Sequence, residues 1–392
     1  MNDFVLQVPT KIYFGKDQLK HLPEEVLQYG KKALLVYGGG SIKKIGLHDK
    51  VVKLLEDAGI TIYELAGVEP NPRHTTVNKG AAICKENNID FIVAVGGGSV
   101  IDCAKAIAGV VKSDTDDVWD FVEKKCDITG ALPLFVILTI SATGSEMDKW
   151  SVISNEDINA KRGLGSEFFF PKASFLNPEF TYSVSPYQTA AGSVDIMAHI
   201  IDNYYFTKNP AMEMIHNIQE EVMRTVVKYA PIALKEPDNY EARANLMWAS
   251  TWALNDYLKA GVSMHTSNHS MEHPLSAYYD MTHGHGLAIL IPRWLEYVMQ
   301  KDPETIPIVA RFGRNVFNVD QNLSDEEAGK KTVEVVSDFY FNTLDLPGKL
   351  SDLGVDETHF KEMAKKAMKG DSIQGFIELD EEDVINIYKM CL

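Results

Sequence analysis

At 392 residues the chain is too long for one compact core and has the length of two domains. With 45% hydrophobic and 24% charged residues it is not collagen-like, low-complexity or wholly disordered. Its 38 Lys and Arg against 55 Asp and Glu leave a formal charge of −17, which a nucleic-acid backbone or an anionic membrane would repel, so neither is expected as a partner.

Residues 1–185 alternate between strand-like and helix-like patterns. Residues 33–37 are a short apolar run that ends in Gly38-Gly39-Gly40. A helical pattern over 51–59, a strand-like alternation over 61–65 and a helical spacing over 75–87 follow. Residues 91–95, rich in β-branched side chains, end in Gly96-Gly97-Gly98; 101–111 is again helical and 134–138 is another strand. Runs that are apolar on both faces imply a parallel sheet covered by helices, so 1–185 is read as a doubly wound, Rossmann-like α/β domain. From Pro186 the pattern changes: 187–205, 211–234, 240–259, 288–299 and 330–344 have helical periodicity, so 186–392 is read as an all-α domain. The acidic run Asp380-Glu381-Glu382-Asp383 is read as the start of a helix rather than a ligand site.

The longest apolar stretch, 131–140, is broken by Pro133 and falls well short of the ~20 residues of a membrane span. Residues 1–9 include Asp3 and no apolar segment leading to a cleavage site. Cys84, Cys103, Cys126 and Cys391 show neither C-x-x-C spacing nor framework density, so reduced thiols and a cytoplasmic location are expected.

A strand that runs through glycines into a helix exposes backbone N–H groups at a helix N-terminus, a geometry suited to a pyrophosphate. The chain has this arrangement twice: Gly38, Gly39 and Ser41 in one turn, and Gly97, Gly98 and Ser99 in the other, with Asp102 in the helical turn that follows. Neither matches G-x-G-x-x-G, and a single such turn without ligand would be unremarked; two at strand ends in one domain favour a nucleotide crevice. After the first strand there are small residues, then Ser41, Lys43 and Lys44, where a NAD site would place an acid. NADP(H) is therefore expected over NAD(H); the alternative is that the two lysines are solvated surface charges.

Five of the 11 histidines fall within 265–285. His265, His269 and His273 share i, i+4 spacing, His283 follows ten residues later, and Asp195 and His199 form another i, i+4 pair. One carboxylate and imidazoles from separate helices make a shell for a divalent transition metal, and the expected ligands are Asp195, His199, His269 and His283. His273, one turn past His269, is the expected proton relay. Asp202 is a candidate to support a ligand or only a helix-face acid, and His265 and His285 are left as support, substrate contact or surface.

Taken together, Gly38-Gly39-Gly40-Ser41, Val68-Glu69-Pro70-Asn71-Pro72, Gly96 to Asp102, Ala142 to Glu146, the Asp195 and His199 pair, Ala253-Leu254-Asn255, and His269, His273 and His283-Gly284 resemble the iron-dependent (group III) alcohol dehydrogenase family over nearly the whole chain. The resemblance is strongest to its NADPH-dependent butanol dehydrogenase or aldehyde reductase branch. It implies a Rossmann-like domain, a helical domain and a cofactor in the cleft between them. It also implies the four metal ligands above, iron first and zinc next, His273 near the nicotinamide, and a homodimer. Thr139, Asp148 and Lys161 are implied cofactor contacts. The implied reaction moves hydride between NADP(H) and a primary alcohol or aldehyde such as butanol or butanal. The chain departs from that branch at His265-Thr266, where Asp-Trp is frequent, and at Asp202, where Glu is usual. Enzymes of related fold acting on anionic substrates would want cations near the ligands, yet 261–291 contains no Lys or Arg. A metal hydrolase would not need two glycine turns.

Overall fold

A computed structural model describes residues 2–207, 212–368 and 370–392. The chain forms two compact units, Gln7–Val184 and a second made of residues 2–6 with Ser185–Leu392. The expected first domain began at residue 1. Instead the N-terminal segment packs with the helical unit, where the Asn2 N–H donates to the Gly261 carbonyl at 2.9 Å and its side-chain amide to Ser263 Oγ at 2.8 Å.

The first unit is built on a parallel six-stranded sheet. In chain order its strands are β1 (Lys11–Phe14), β2 (Lys32–Tyr37), β3 (Thr61–Leu65), β4 (Phe91–Gly96), β5 (Leu134–Leu138) and, after a hairpin of β6 (Trp150–Asn155) and β7 (Ala160–Gly165), β8 (Ala173–Leu176). The spatial order is β1-β8-β5-β4-β2-β3. Every residue of β4 and β5 is buried, which is why these strands read as continuous apolar runs; β1 and β3, at the edges, keep exposed positions. β1, β6, β7 and β8 were not among the expected strands: β1 and β8 are four residues long, and four of the six residues of β7 (Ala-Lys-Arg-Gly-Leu-Gly) are polar or glycine. Tyr37 pairs with Val95 and Gly96 with Leu138, so the chain leaves β2, β4 and β5 side by side at one end of the sheet. At that end of an open parallel sheet ligands bind.

In the second unit the helix Pro186–Ile200 is buried at every position from Thr189 onward and packs against Glu213–Lys235 and His283–Lys301. It runs into one π turn, Ile201–Tyr205. The second expected helix began at Ala211, which lies outside the described residues; the helix is described from Glu213. The expected 240–259 helix stops at Ala253 because Asn255 turns the chain: its amide donates to the Thr251 carbonyl and its Oδ1 accepts the Tyr257 N–H. The acidic run does start a helix, Glu381–Met390, with Asp380 and Asp383 forming a reciprocal capping box. Among the described residues no helix is long and apolar enough to cross a membrane.

Beneath the glycine turns lies a buried polar network. Lys105, wholly buried in the helix Gly98–Val111, donates to Ser145 Oγ (2.9 Å), Asp148 Oδ1 (2.7 Å) and the Trp150 carbonyl (2.8 Å). Asp102 accepts from Ser145 Oγ (2.6 Å) and the Val152 N–H (2.9 Å). Burial pushes both carboxyls up in pKa, and the Lys105 charge pulls them back. Replacing Lys105 with Met should therefore strand Asp148 without its cation and destabilise the protein by about 3–5 kcal/mol. Chemical denaturation followed by circular dichroism measures this, and a loss under about 1 kcal/mol would show that the pair is not a support.

Candidate metal centre

Asp195 and His199 lie one turn apart on the buried helix Pro186–Ile200, so both side chains leave the same face. His269 stands in the first turn of the helix Ser267–Tyr279. That helix ends at Asp280, whose φ of +48° reverses the chain, and Thr282 then caps His283–Lys301, whose first residue is His283. The reversal brings the three helices' residues together: ring centroids are 4.8 Å apart for His199 and His269, 5.3 Å for His269 and His283, and 6.5 Å for His199 and His283.

Each imidazole is held by its Nδ1. His199 Nδ1 lies 2.7 Å from the Asp195 carbonyl oxygen, His269 Nδ1 lies 2.8 Å from Asp202 Oδ2, and His283 Nδ1 is hydrogen-bonded to Glu272 Oε2. An acceptor at Nδ1 puts the proton there and turns the Nε2 lone pair inward, the tautomer a metal ligand needs. His269 Nε2 and Asp195 Oδ1 are buried and have no hydrogen-bond partner among the described residues. Leaving two such atoms unmet is costly unless something else fills the space between them. Donor atoms of Asp195, His199 and His269 all lie within 4.8 Å of one another, and His283 Nε2 is 3.7 Å from Asp195 Oδ1. Asp195, His199 and His269 are therefore placed to hold one divalent cation, with His283 beside Asp195 as a further donor. Burial holds His199 below the ordinary imidazole range; for His269 burial is the largest single influence and pulls the same way, but the hydrogen bond to Asp202 and the charges of Asp202, Asp195 and Glu272 together outweigh it and move the group up.

Asp202, on the π turn, does two jobs. It accepts the backbone N–H groups of Asn268 and His269 (2.9 Å each), which caps their helix, while it orients the His269 ring. Glu272, left without a role by the spacing along the chain, is wholly buried and bonded to His283 and to Ser276 Oγ. The available signal was an acid between two histidines of an otherwise buried helix face, where it must be partnered. His273 is half-buried, its ring 5.9 Å from that of His283. His265 donates its backbone N–H to the Asn203 carbonyl at 3.4 Å. His285 is a structural clip: Nε2 lies 2.8 Å from the Pro347 carbonyl and Nδ1 3.0 Å from the Tyr187 hydroxyl.

The expected nucleotide residues all lie in the first unit. Gly38 and Gly39 follow β2, and Gly40, with φ of +101°, precedes the short helix that starts at Ser41. A Cβ on Gly39 would meet nothing within 4 Å, so the backbone of this turn is open to an approaching group. The second turn is different. A Cβ on Gly97 would lie 2.2 Å from Ile140 Cγ2, and one on Gly98 2.4 Å from Thr143 Cγ2. Those glycines admit the neighbouring loop that begins at Thr139, whose N–H donates to the Gly96 carbonyl at 3.0 Å. Ser99 and Asp102 lie in the first turns of Gly98–Val111. Asp148 is buried, and its Oδ1 accepts from Lys105 and the Trp150 N–H. Lys161 is buried in β7, paired with Ser154 of β6. Trp252 packs against Tyr257 and Trp248 and lines a groove of about 550 Å³ between Glu213–Lys235 and Tyr240–Ala253.

Comparison with known proteins agrees with this chemistry. Residues 9–178 match the family model described as iron-containing alcohol dehydrogenase, and residues 189–392 match the C-terminal model of the Fe-containing alcohol dehydrogenase family. The chain is 46% identical to NADH-dependent butanol dehydrogenase B of Clostridium acetobutylicum, over 99% of each chain. It is 35% identical to the NADPH-dependent aldehyde reductase YqhD of Escherichia coli, over 93% of each. The crystal structure of NADH-dependent butanol dehydrogenase A from Thermotoga maritima superposes with a TM-score of 0.93 at 37% identity, covering 100% of this chain and 99% of that one. A buried aspartate and three Nδ1-anchored imidazoles therefore stand in a chain that belongs to the iron-containing alcohol dehydrogenase family, a family of oxidoreductases.

Proposed function

We propose that the protein is a metal-dependent alcohol dehydrogenase and aldehyde reductase that moves hydride between NADP(H) and a primary alcohol or aldehyde such as butanol or butanal. The observation that carries this reading is the pair of buried, partnerless donor atoms, Asp195 Oδ1 and His269 Nε2, beside two further imidazoles locked by their Nδ1 atoms. Asp195, His199, His269 and His283 would hold one divalent cation, iron first and zinc next. When bound, that cation lends Lewis acidity to the substrate oxygen, and the nicotinamide gives or takes the hydride. One carboxylate and three neutral imidazoles leave a +1 charge on such a site, which favours an alkoxide over a neutral alcohol. His273, half-buried next to His283, is placed to take the alcohol proton or return it. The absence of Lys and Arg from 261–291 suits a neutral substrate. The resemblance and the four unpaired cysteines support a cytoplasmic homodimer.

The preference for NADP(H) rests on the first glycine turn, which offers Ser41, Lys43 and Lys44 and no acid. Lys43 Nζ stands 5.0 Å over the Tyr37 ring. The relatives' names divide, NADH for the butanol dehydrogenases and NADPH for the aldehyde reductase.

Three measurements check the reading. Purified protein loaded with ferrous iron or zinc should oxidise reduced nicotinamide when given butanal, and lack of turnover over a panel of aldehydes would defeat the assignment. His269→Ala should lose the metal, seen by elemental analysis, and about 10³-fold or more in kcat, while NADPH affinity is unchanged. His273→Ala should keep the metal and lose about 10²-fold or more in kcat with an altered pH profile; a normal profile would remove it from proton transfer. For the cofactor, kcat/KM with NADPH should exceed that with NADH, and Gly39→Asp, which the open backbone admits without a clash, should reverse the ratio. An unchanged ratio would count against a 2′-phosphate at this turn.

A further inference from the structure

We propose that Glu272 is the positioning residue that aims His283 at the metal, and that the glycines of His283-Gly284-His285-Gly286 exist to seat it; the proposal rests on the metal-site reading above. Asp195, His199 and His269 are buried, but His283 is the first residue of its helix and its side chain is 22% exposed. Packing alone fixes this ring least, so an oriented bond contributes most here. The bond is to Glu272, on the preceding helix Ser267–Tyr279, whose carboxylate accepts from His283 Nδ1 and from Ser276 Oγ one turn along. A wholly buried carboxylate is tolerated because both donors reach it.

Two glycines allow that approach. A Cβ on Gly286 would lie 2.9 Å from Glu272 Cγ and 3.2 Å from its Oε1, so any side chain there would push the carboxylate off His283. A Cβ on Gly284 would lie 2.0 Å from the Ala191 carbonyl oxygen and 3.2 Å from Asp195 Cβ. Without Gly284, then, the His283 helix could not come down onto the helix that carries Asp195. The motif thus sets both the distance and the aim of the fourth ligand, and neither glycine touches the metal.

The test uses the full-length protein, stripped with a chelator and titrated with zinc against a chromophoric competitor, with circular dichroism as the check on folding. Wild type should bind one equivalent. Glu272→Gln, which keeps the shape and loses the charge, should bind zinc about 10-fold more weakly, and Glu272→Leu and Gly286→Ala about 100-fold, with NADPH affinity unchanged. In wild type itself the His283 Nδ1 proton should give a far-downfield, exchange-protected NMR resonance that disappears in His283→Asn. That measurement stands even where a variant does not fold. Wild type that binds zinc while folded variants bind it within twofold as tightly, or that lacks the resonance, overturns the role of Glu272 and leaves the metal site standing. Wild type that binds no zinc overturns both.

Discussion

The second unit is organised around a buried carboxylate whose Oδ1 has no hydrogen-bond partner among the described residues. Asp195 sits in the middle of a helix buried along nearly its whole length, and its Oδ1 faces imidazole nitrogens rather than a cation or a donor. Burying an unpaired carboxylate costs far more than one ordinary hydrogen bond returns. In the proposed function this carboxylate is part of a coordination shell, and the polar contacts around it suit that role. Asp202 holds His269, Glu272 holds His283, and the Asp195 carbonyl holds His199. The three supports differ in chemistry and serve one end, a lone pair pointed inward.

The same logic explains the backbone around the site. The π turn at Ile201–Tyr205 carries Asp202 to the N-terminus of the Ser267–Tyr279 helix, where one carboxylate serves as both cap and ring anchor. Single π turns inside α-helices are frequent at functional sites because they displace the following side chains by one position. Asp280, in the left-handed region, makes the reversal that lets two consecutive helices share a ligand set.

In the first unit the glycines divide into two kinds. Gly39 and Gly40 after β2 leave open space, which a ligand can enter. Those after β4 are filled by Ile140 and Thr143 of the adjacent loop, so their lack of a side chain serves close packing of protein on protein. Under that packing, Lys105, Asp102, Ser145 and Asp148 form a closed polar network that fixes the loops over the sheet end.

The sequence by itself determined strands β2, β3, β4 and β5, the change to helices at residue 186 and the spacing of Asp195, His199, His269 and His283, because each is a local periodicity or a fixed offset along the chain. β2, β4 and β5 read as they fold because burial on both faces leaves an uninterrupted apolar run. Short β1 and β8 were invisible because four residues carry little periodicity and their pairing is supplied by neighbours distant in the chain; β7, paired with adjacent β6, was hidden by its polar residues and glycines. Asp202 was half legible, at one turn from His199, but its service to His269 depends on a helix 67 residues away. Glu272 and the seat made by Gly284 and Gly286 were decided by tertiary structure alone. Their meaning lies in distances between helices, which no spacing along the chain encodes.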